Sequence, residues 1–158
     1  MARHTFFSFH YERDAWRAGQ VRNSWVTQDR VAAGFFDKAK WEEAKKKGDA
    51  AIKAWIDEQL KGTSVTAVLI GSETSSRDYV DYEITQSWAK GNGLFGIYIH
   101  NLKDVNKNTD TKGTNPFSKW DFKLAGTAVT IPTYDWVSDD GYTNLRTWIE
   151  AAAKAAGR

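Results

Sequence analysis

Glu83 is the residue whose type and surroundings best suit it to chemistry. Ser76, Tyr79, Glu83 and Ser87 recur at spacings of three and four, so a helix would place them on one face. Val80, Ile84 and Trp88 form an apolar stripe beside that face. A carboxylate at the border of such a stripe is partly withdrawn from water and held in place. It could hydrogen-bond sugar hydroxyls, or stabilise positive charge developing at an anomeric carbon. An ordinary glutamate on a helix surface would show the same spacing, and position alone does not choose between the two.

Two other segments carry polar groups in useful places. Ser72, Thr74, Ser75 and Ser76 follow Gly71 and precede the Glu83 helix. They could bind a phosphate together with the free amides of a helix start, or they could only cap the helix. Ser8, Phe9 and His10 close the first strand, where His10 could meet a phosphate or a ring, or serve as a structural histidine. His4, His10 and His100 begin or end strands on no shared motif, which argues against a zinc trio. The chain has no cysteine, so disulfides, thiolate metal sites and a cysteine nucleophile are excluded. It also lacks a G-x-S-x-G elbow, a phosphate-binding G-x-x-x-x-G-K-[ST] loop, and G-x-G-x-x-G after the first strand.

The elements that must position these residues are legible from periodicity. A short apolar strand covers 4–9, and a helix from Asp14 to about Trp25 has Ala15, Ala18, Val21 and Trp25 at helical spacing. Residues 26–47 read as an ordered loop with a short helix, and a further strand could hide near 26–36. Asp49 is expected to cap a helix whose stripe is Ile52, Trp55, Ile56 and Leu60, ended by Gly62. Residues 65–70, VTAVLI, are four-sixths β-branched with little polar alternation, as in a central parallel strand covered on both faces. Ser75 and Asp78 suggest a capping box, and the next helix runs from about Ser76 to Lys90. A strand at 94–99 follows, in which Phe95 and Tyr98 read as core. A long polar stretch comes next, over 101–126, in which Pro116, Phe117, Trp120 and Phe122 should pack back in part. Short strands are expected at 128–131 and Thr133–Val137, then a helix from Asn144 to Ala156 with Leu145, Trp148 and Ile149 inward.

Alternating strands and helices predict an α/β fold: a flavodoxin-like, three-layer domain with a mainly parallel sheet of four or five strands. The 158 residues suit one domain over 1–158. Ligands in such a sheet bind outside the carboxyl ends of the strands, near a topological switch point. Ser8–His10, the 71–76 loop and His100–Asn101 would meet there. A formal charge of +2 gives no argument for nucleic acid. No apolar run approaches the roughly 18 residues of a membrane span, and the amino terminus lacks the apolar run of a secretory signal. A cytoplasmic location is expected.

Several separated segments, in order, resemble the TIR-like domain family that includes the TIR-like protein of the Thoeris anti-phage defence system. They are FFSFHYE at 6–12, IKAWIDEQLKGT at 52–63, GTSVTAVLIGSETSSRDYVDYEI at 62–84, GLFGIYIH at 93–100, and Asn115-Pro116-Phe117. The resemblance implies a flavodoxin-like TIR fold. It also implies cleavage of the nicotinamide–ribose bond of NAD, with NAD as substrate and no other cofactor. The products would be nicotinamide and a cyclic ADP-ribose isomer, a diffusible signal to a separate effector protein in anti-phage immunity. The essential glutamate of TIR enzymes lies in a W-V-x-x-E-like pattern, which reads Tyr79-Val80-Asp81-Tyr82-Glu83 here, with tyrosine in place of tryptophan. The first-strand motif reads Phe6-Phe7-Ser8-Phe9. By resemblance, Glu83 is catalytic, and Ser8, Phe9, His10, Ser72, Ser76 and Tyr79 contact substrate. Self-association is compatible with this.

Two other readings compete. TIR-like folds also serve as non-catalytic interaction modules, for which Trp25, Phe35 and Trp41 would be exposed contacts. A flavin- or phosphate-binding receiver is the third reading, and the missing aspartate cluster at the first strand end argues against a phosphoacceptor.

Overall fold

The computed structural model describes residues 4–26, 32–33 and 38–158. Strand β1 (Thr5–Ser8) leads into helix α1 (Tyr11–Val26), strand β2 (Ala32–Ala33), and helices α2 (Lys38–Lys47) and α3 (Asp49–Leu60). Strand β3 (Val65–Ile70), helix α4 (Asp78–Lys90) and strand β4 (Gly93–Tyr98) follow. A long connection holds a short hairpin, β5 (Lys123–Leu124) with β6 (Thr127–Ala128), before strand β7 (Thr133–Asp135) and helix α5 (Gly141–Ala155).

The main sheet has five strands in the order β2-β1-β3-β4-β7, all parallel. This is the α/β three-layer arrangement that the strand–helix alternation predicts. VTAVLI occupies the centre, and every one of its residues is buried. The chain runs outward from β1 to β2, then crosses back to β3 and continues the other way. The switch point therefore lies between β1 and β3.

Because side chains alternate along a strand, each strand feeds two cores. Phe7, Val65, Ala67, Leu69, Phe95 and Ile97 pack with Ala18, Val21 and Trp25 of α1 and with Leu145, Trp148 and Ile149 of α5. On the other face, Phe6 meets Ile52, Ile56 and Leu60 of α3, while Val68 and Ile70 meet Val80 and Ile84 of α4. Phe117 and Phe122 complete that second core, so the long connection does fold back through its aromatic residues.

Several local expectations are corrected. Trp25 is only 1% exposed and anchors the α1 core, so it is no surface contact. Phe35 and the side chain of Trp41 lie outside the described residues. Asp49 is the first helical residue of α3, after Gly48, and makes no cap. Ser75 and Asp78 form no capping box: a short 3₁₀ turn takes Thr74–Ser76, and α4 starts after Arg77 without a side-chain cap. The strand expected at 128–131 is replaced by the β5–β6 hairpin, which pairs with itself and not with the main sheet. Pro132 lacks the N–H a ladder needs there. Helix α4 ends on Gly91 in the left-handed region, as its glycine allows.

Candidate active site

The site grows from the side-chain alternation of β1. With Phe7 turned toward α1, Ser8 must turn toward α4, and it is fully buried there. Its Oγ donates a 2.8 Å hydrogen bond to Glu83 Oε1. On the same helix face, Ser87 Oγ and Thr66 Oγ1 of β3 are 2.7 Å apart. Two polar pairs thus join α4 to the sheet between apolar neighbours, each satisfying groups that would be costly to bury alone. Glu83 is 7% exposed, deeper than the border position its spacing suggested.

Burial raises the Glu83 carboxyl from 4.5 to about 8, against the opposing pulls of the Ser8 hydroxyl and the Arg77 guanidinium. In the free protein the group is therefore mainly a neutral acid at pH 7. A cation placed beside it would favour the carboxylate. The pair can bind hydroxyls in one state and oppose developing positive charge in the other.

Removing the Ser8 hydroxyl takes away one of the two influences that hold this pKa down. Ser8→Ala is expected to move the alkaline rise of any Glu83-dependent activity above the wild-type midpoint near pH 8, and to lower activity at pH 7 several-fold. A pH–rate profile of kcat/KM checks this, and an unmoved midpoint would count against the Ser8–Glu83 coupling.

The other residues singled out by sequence fall in different places. His10 is half-buried at the start of α1, and its Nδ1 is buried with no hydrogen-bond partner among the described residues. Burial, then the nearby Arg77 charge, lower its pKa. Phe9 packs into the α1–α5 core with its ring 6.0 Å from that of Tyr11, on the opposite face of the sheet from Glu83. Ser72 donates to Asp110 Oδ2 at 3.2 Å, and Ser76 to the carbonyl of Glu73 at 2.8 Å. Ser76 is exposed and precedes α4 rather than lying on it. Tyr79 is half-buried against the α3 core, bonded to Asp49, with Arg77 5.9 Å from its ring. Of these residues, Ser8 alone bonds directly to Glu83.

Sequence reasoning passed over a charged cluster at the same edge. Asp14 is 1% exposed, and its Oδ2 lies 2.2 Å from where a Cβ on Gly71 would stand. Burial raises its pKa, while Arg13 and Arg17 pull it down. Arg13 donates to Glu73 and, at 2.6 Å, to Asp110, whose carboxyl is held down to about 2 chiefly by that bond. The signal was available as Arg13 and Arg17 one turn apart, next to an acid just after a strand. Their partners are 85 or more residues away for the 101–113 segment, and nothing local reveals them.

A cavity of about 100 Å³ lies at the amino edge of β4, lined by Trp88, Leu94, Leu124, Ile131, Pro132 and Ala152 among others. Its lining is apolar and its position is away from the switch point. It offers no group for the chemistry that Glu83 suggests.

The model of the TIR-like domain of Thoeris protein ThsB matches residues 6–104, from β1 through the whole Glu83 helix and β4. The chain belongs to this ThsB TIR-like family. It is 38% identical over 191 aligned residues to a protein of Bacillus cereus (strain MSX-D12), with 94% of this chain and 100% of that protein covered. The relative's name reads "Putative cyclic ADP-D-ribose synthase ThsB1". No helix among the described residues is long and apolar enough to cross a membrane.

Proposed function

We propose that this ThsB-like protein cleaves the nicotinamide–ribose bond of NAD and closes the remainder into a cyclic ADP-ribose isomer. The observation that carries the reading is a buried, Ser8-bonded Glu83 on the helix after the central strand, beside the switch point. Family membership and the name of the Bacillus relative, "Putative cyclic ADP-D-ribose synthase ThsB1", support the same class of product. The leaving group is cationic while attached, so it departs as neutral nicotinamide with the bonding electron pair and needs no strong acid. The ribose is left with oxocarbenium character. Glu83, ionised by that charge, opposes it and holds the ribose hydroxyls. An internal hydroxyl, losing its own proton, or an adenine ring nitrogen, with the proton lost from the conjugated exocyclic amine, then forms the new bond at C1′. Water in that role would give plain ADP-ribose, so closing the ring requires water to be excluded. The product would act as a diffusible signal to a separate effector in anti-phage immunity. Self-association and a cytoplasmic location belong to this reading.

The test is incubation of the purified chain with NAD, with and without lysate of phage-infected cells. Nicotinamide release and the mass and retention of the nucleotide product are then followed against cyclic standards. Release of nicotinamide with a product lighter than ADP-ribose by one water is the expected result. No turnover under either condition would sink the proposal in favour of a binding module.

A further inference from the structure

Four charged side chains are near enough to act on the His10 ring through their charges: Glu12 and Arg13 from the first turn of α1, and Glu73 and Arg77 from the β3–α4 connection. They pair crosswise. Arg13 Nε bonds Glu73, and Arg77 Nη2 stands 3.4 Å from Glu12 Oε1. Each pair bridges the start of α1 and the β3–α4 connection, which flank the switch point. The arginines are the more sheltered members, at 30% and 28% exposure, while Glu73 and Glu12 are 59% and 46% exposed. Ion pairs this open contribute little, about 0–1 kcal/mol, so exchange for a better anion costs little.

Three further features favour an anion there. Helix α4 begins after Arg77 with no side-chain cap, leaving its first amides to other partners. His10 Nδ1 is buried and unpartnered among the described residues. Glu83 lies six residues beyond Arg77, about 9 Å along the helix at 1.5 Å per residue. A ribose 5′-phosphate and an arginine side chain together span such a length.

We propose that Arg77 and Arg13, with His10 nearby, form the subsite for the diphosphate of a dinucleotide, and that Glu12 and Glu73 hold the two guanidinium groups as exchangeable stand-ins until it arrives. The inference rests on the NAD reading of the Glu83 site and adds the recognition of the substrate's anionic half. Guanidinium groups take phosphate oxygens in a two-pronged fashion that a lone exposed carboxylate at 3.4 Å does not match. Arg13 gives up only its Nε partner, because Nη1 remains on Asp110. The arrangement has a distinctive consequence: the two glutamates compete with the ligand.

Calorimetric titration of the whole chain with ADP-ribose and with adenosine, which lacks the diphosphate, tests this. Glu12→Gln should bind ADP-ribose several-fold more tightly than wild type, and Arg77→Gln at least tenfold more weakly. Adenosine binding should respond to neither change. Weaker ADP-ribose binding by Glu12→Gln, equal effects on the two ligands, or no ADP-ribose binding by wild type and Glu12→Gln at millimolar concentration would overturn the proposal. The Glu12→Gln arm decides even where Arg77→Gln fails to fold. Binding is read without turnover, so the two proposals fail separately. A chain inert toward NAD that shows this binding pattern keeps the subsite and loses the cleavage reaction. A chain that cleaves NAD with KM unchanged in Arg77→Gln does the reverse.

Discussion

Replacing Glu83 by glutamine is expected to cut nicotinamide release at least about a hundredfold and, at the same time, to make the protein more stable at alkaline pH. The activity loss follows from removing the one buried group placed to oppose charge on the ribose; losses of about 10²–10³ attend the removal of a single preorganised stabilising group. The stability gain follows from linkage. The Glu83 carboxyl ionises near 4.5 when unfolded and near 8 when folded. Between those values the folded state keeps a proton that the unfolded state has lost. Stability therefore falls as pH rises from about 4.5 to about 8, and stays low above that. At 1.36 kcal/mol per unit, the penalty above pH 8 is on the order of 5 kcal/mol. Glutamine does not ionise and can still accept from Ser8. Thermal midpoints of the two proteins should nearly coincide at pH 5, diverge up to about pH 8 and stay apart above it, with Glu83→Gln higher. Parallel curves would show that Glu83 is not desolvated as the structure has it. A stabilising substitution that destroys activity is the usual mark of a group held in place for function at some cost to the fold.

The register of Glu83 was legible because α4 carries a clean apolar stripe, and β3 was legible because a doubly covered strand has no polar alternation. Those two elements place the carboxylate beside the middle of the sheet from sequence alone. Its partner was only half legible. Ser8 ends an apolar run, but which way it points depends on which face Phe7 takes, and Glu83 is 75 residues away. Phe9 shows the same ambiguity resolved the other way: one residue further along, the chain turns it into the opposite core. Trp25 misleads because a tryptophan at the end of a moderately amphipathic helix can finish either inside or out. The helix starts were misread where a backbone device replaced a side-chain one, as in the 3₁₀ turn that displaces the Ser75–Asp78 cap. The polar stretch after β4 was the least legible. Its order comes from arginines on α1, and composition alone makes such a segment look like free loop.

Those arginines lead to the second large effect, which concerns Arg17. It is 5% exposed, yet its guanidinium is fully employed in tying the segment after β4 to α1. Nε donates to the carbonyl of Leu102 at 2.7 Å and Nη2 to that of Asn108 at 2.9 Å. Asp104 and Asp110 each bring a carboxylate oxygen within 3.8 Å. The same charge also lowers the cost of burying Asp14, which stands against Gly71. Above Gly71 sits Gly113, so close that a Cβ there would lie 2.0 Å from the Gly71 carbonyl oxygen. Asp14, the β3 end and the 101–113 segment thus form three layers with no spare space, beside the Ser72 loop. Arg17→Met keeps the apolar stem but leaves two carbonyls without their donor and the buried Asp14 carboxylate with Arg13 as its remaining cation. Breaking such a buried arrangement from one side costs about 3 kcal/mol or more, which for a chain of this size is a fall of roughly 6–12 °C in Tm. Arg17→Lys should recover only part of it, because a single ammonium cannot span both carbonyls. Hydrogen exchange locates the damage: the amide of Asp110, now bonded to the His100 carbonyl at 2.8 Å, should lose protection well before the amides of β3. An unchanged midpoint in Arg17→Met, with Asp110 still protected, would mean that the 101–113 segment is held by packing at Gly113 and that the guanidinium is dispensable.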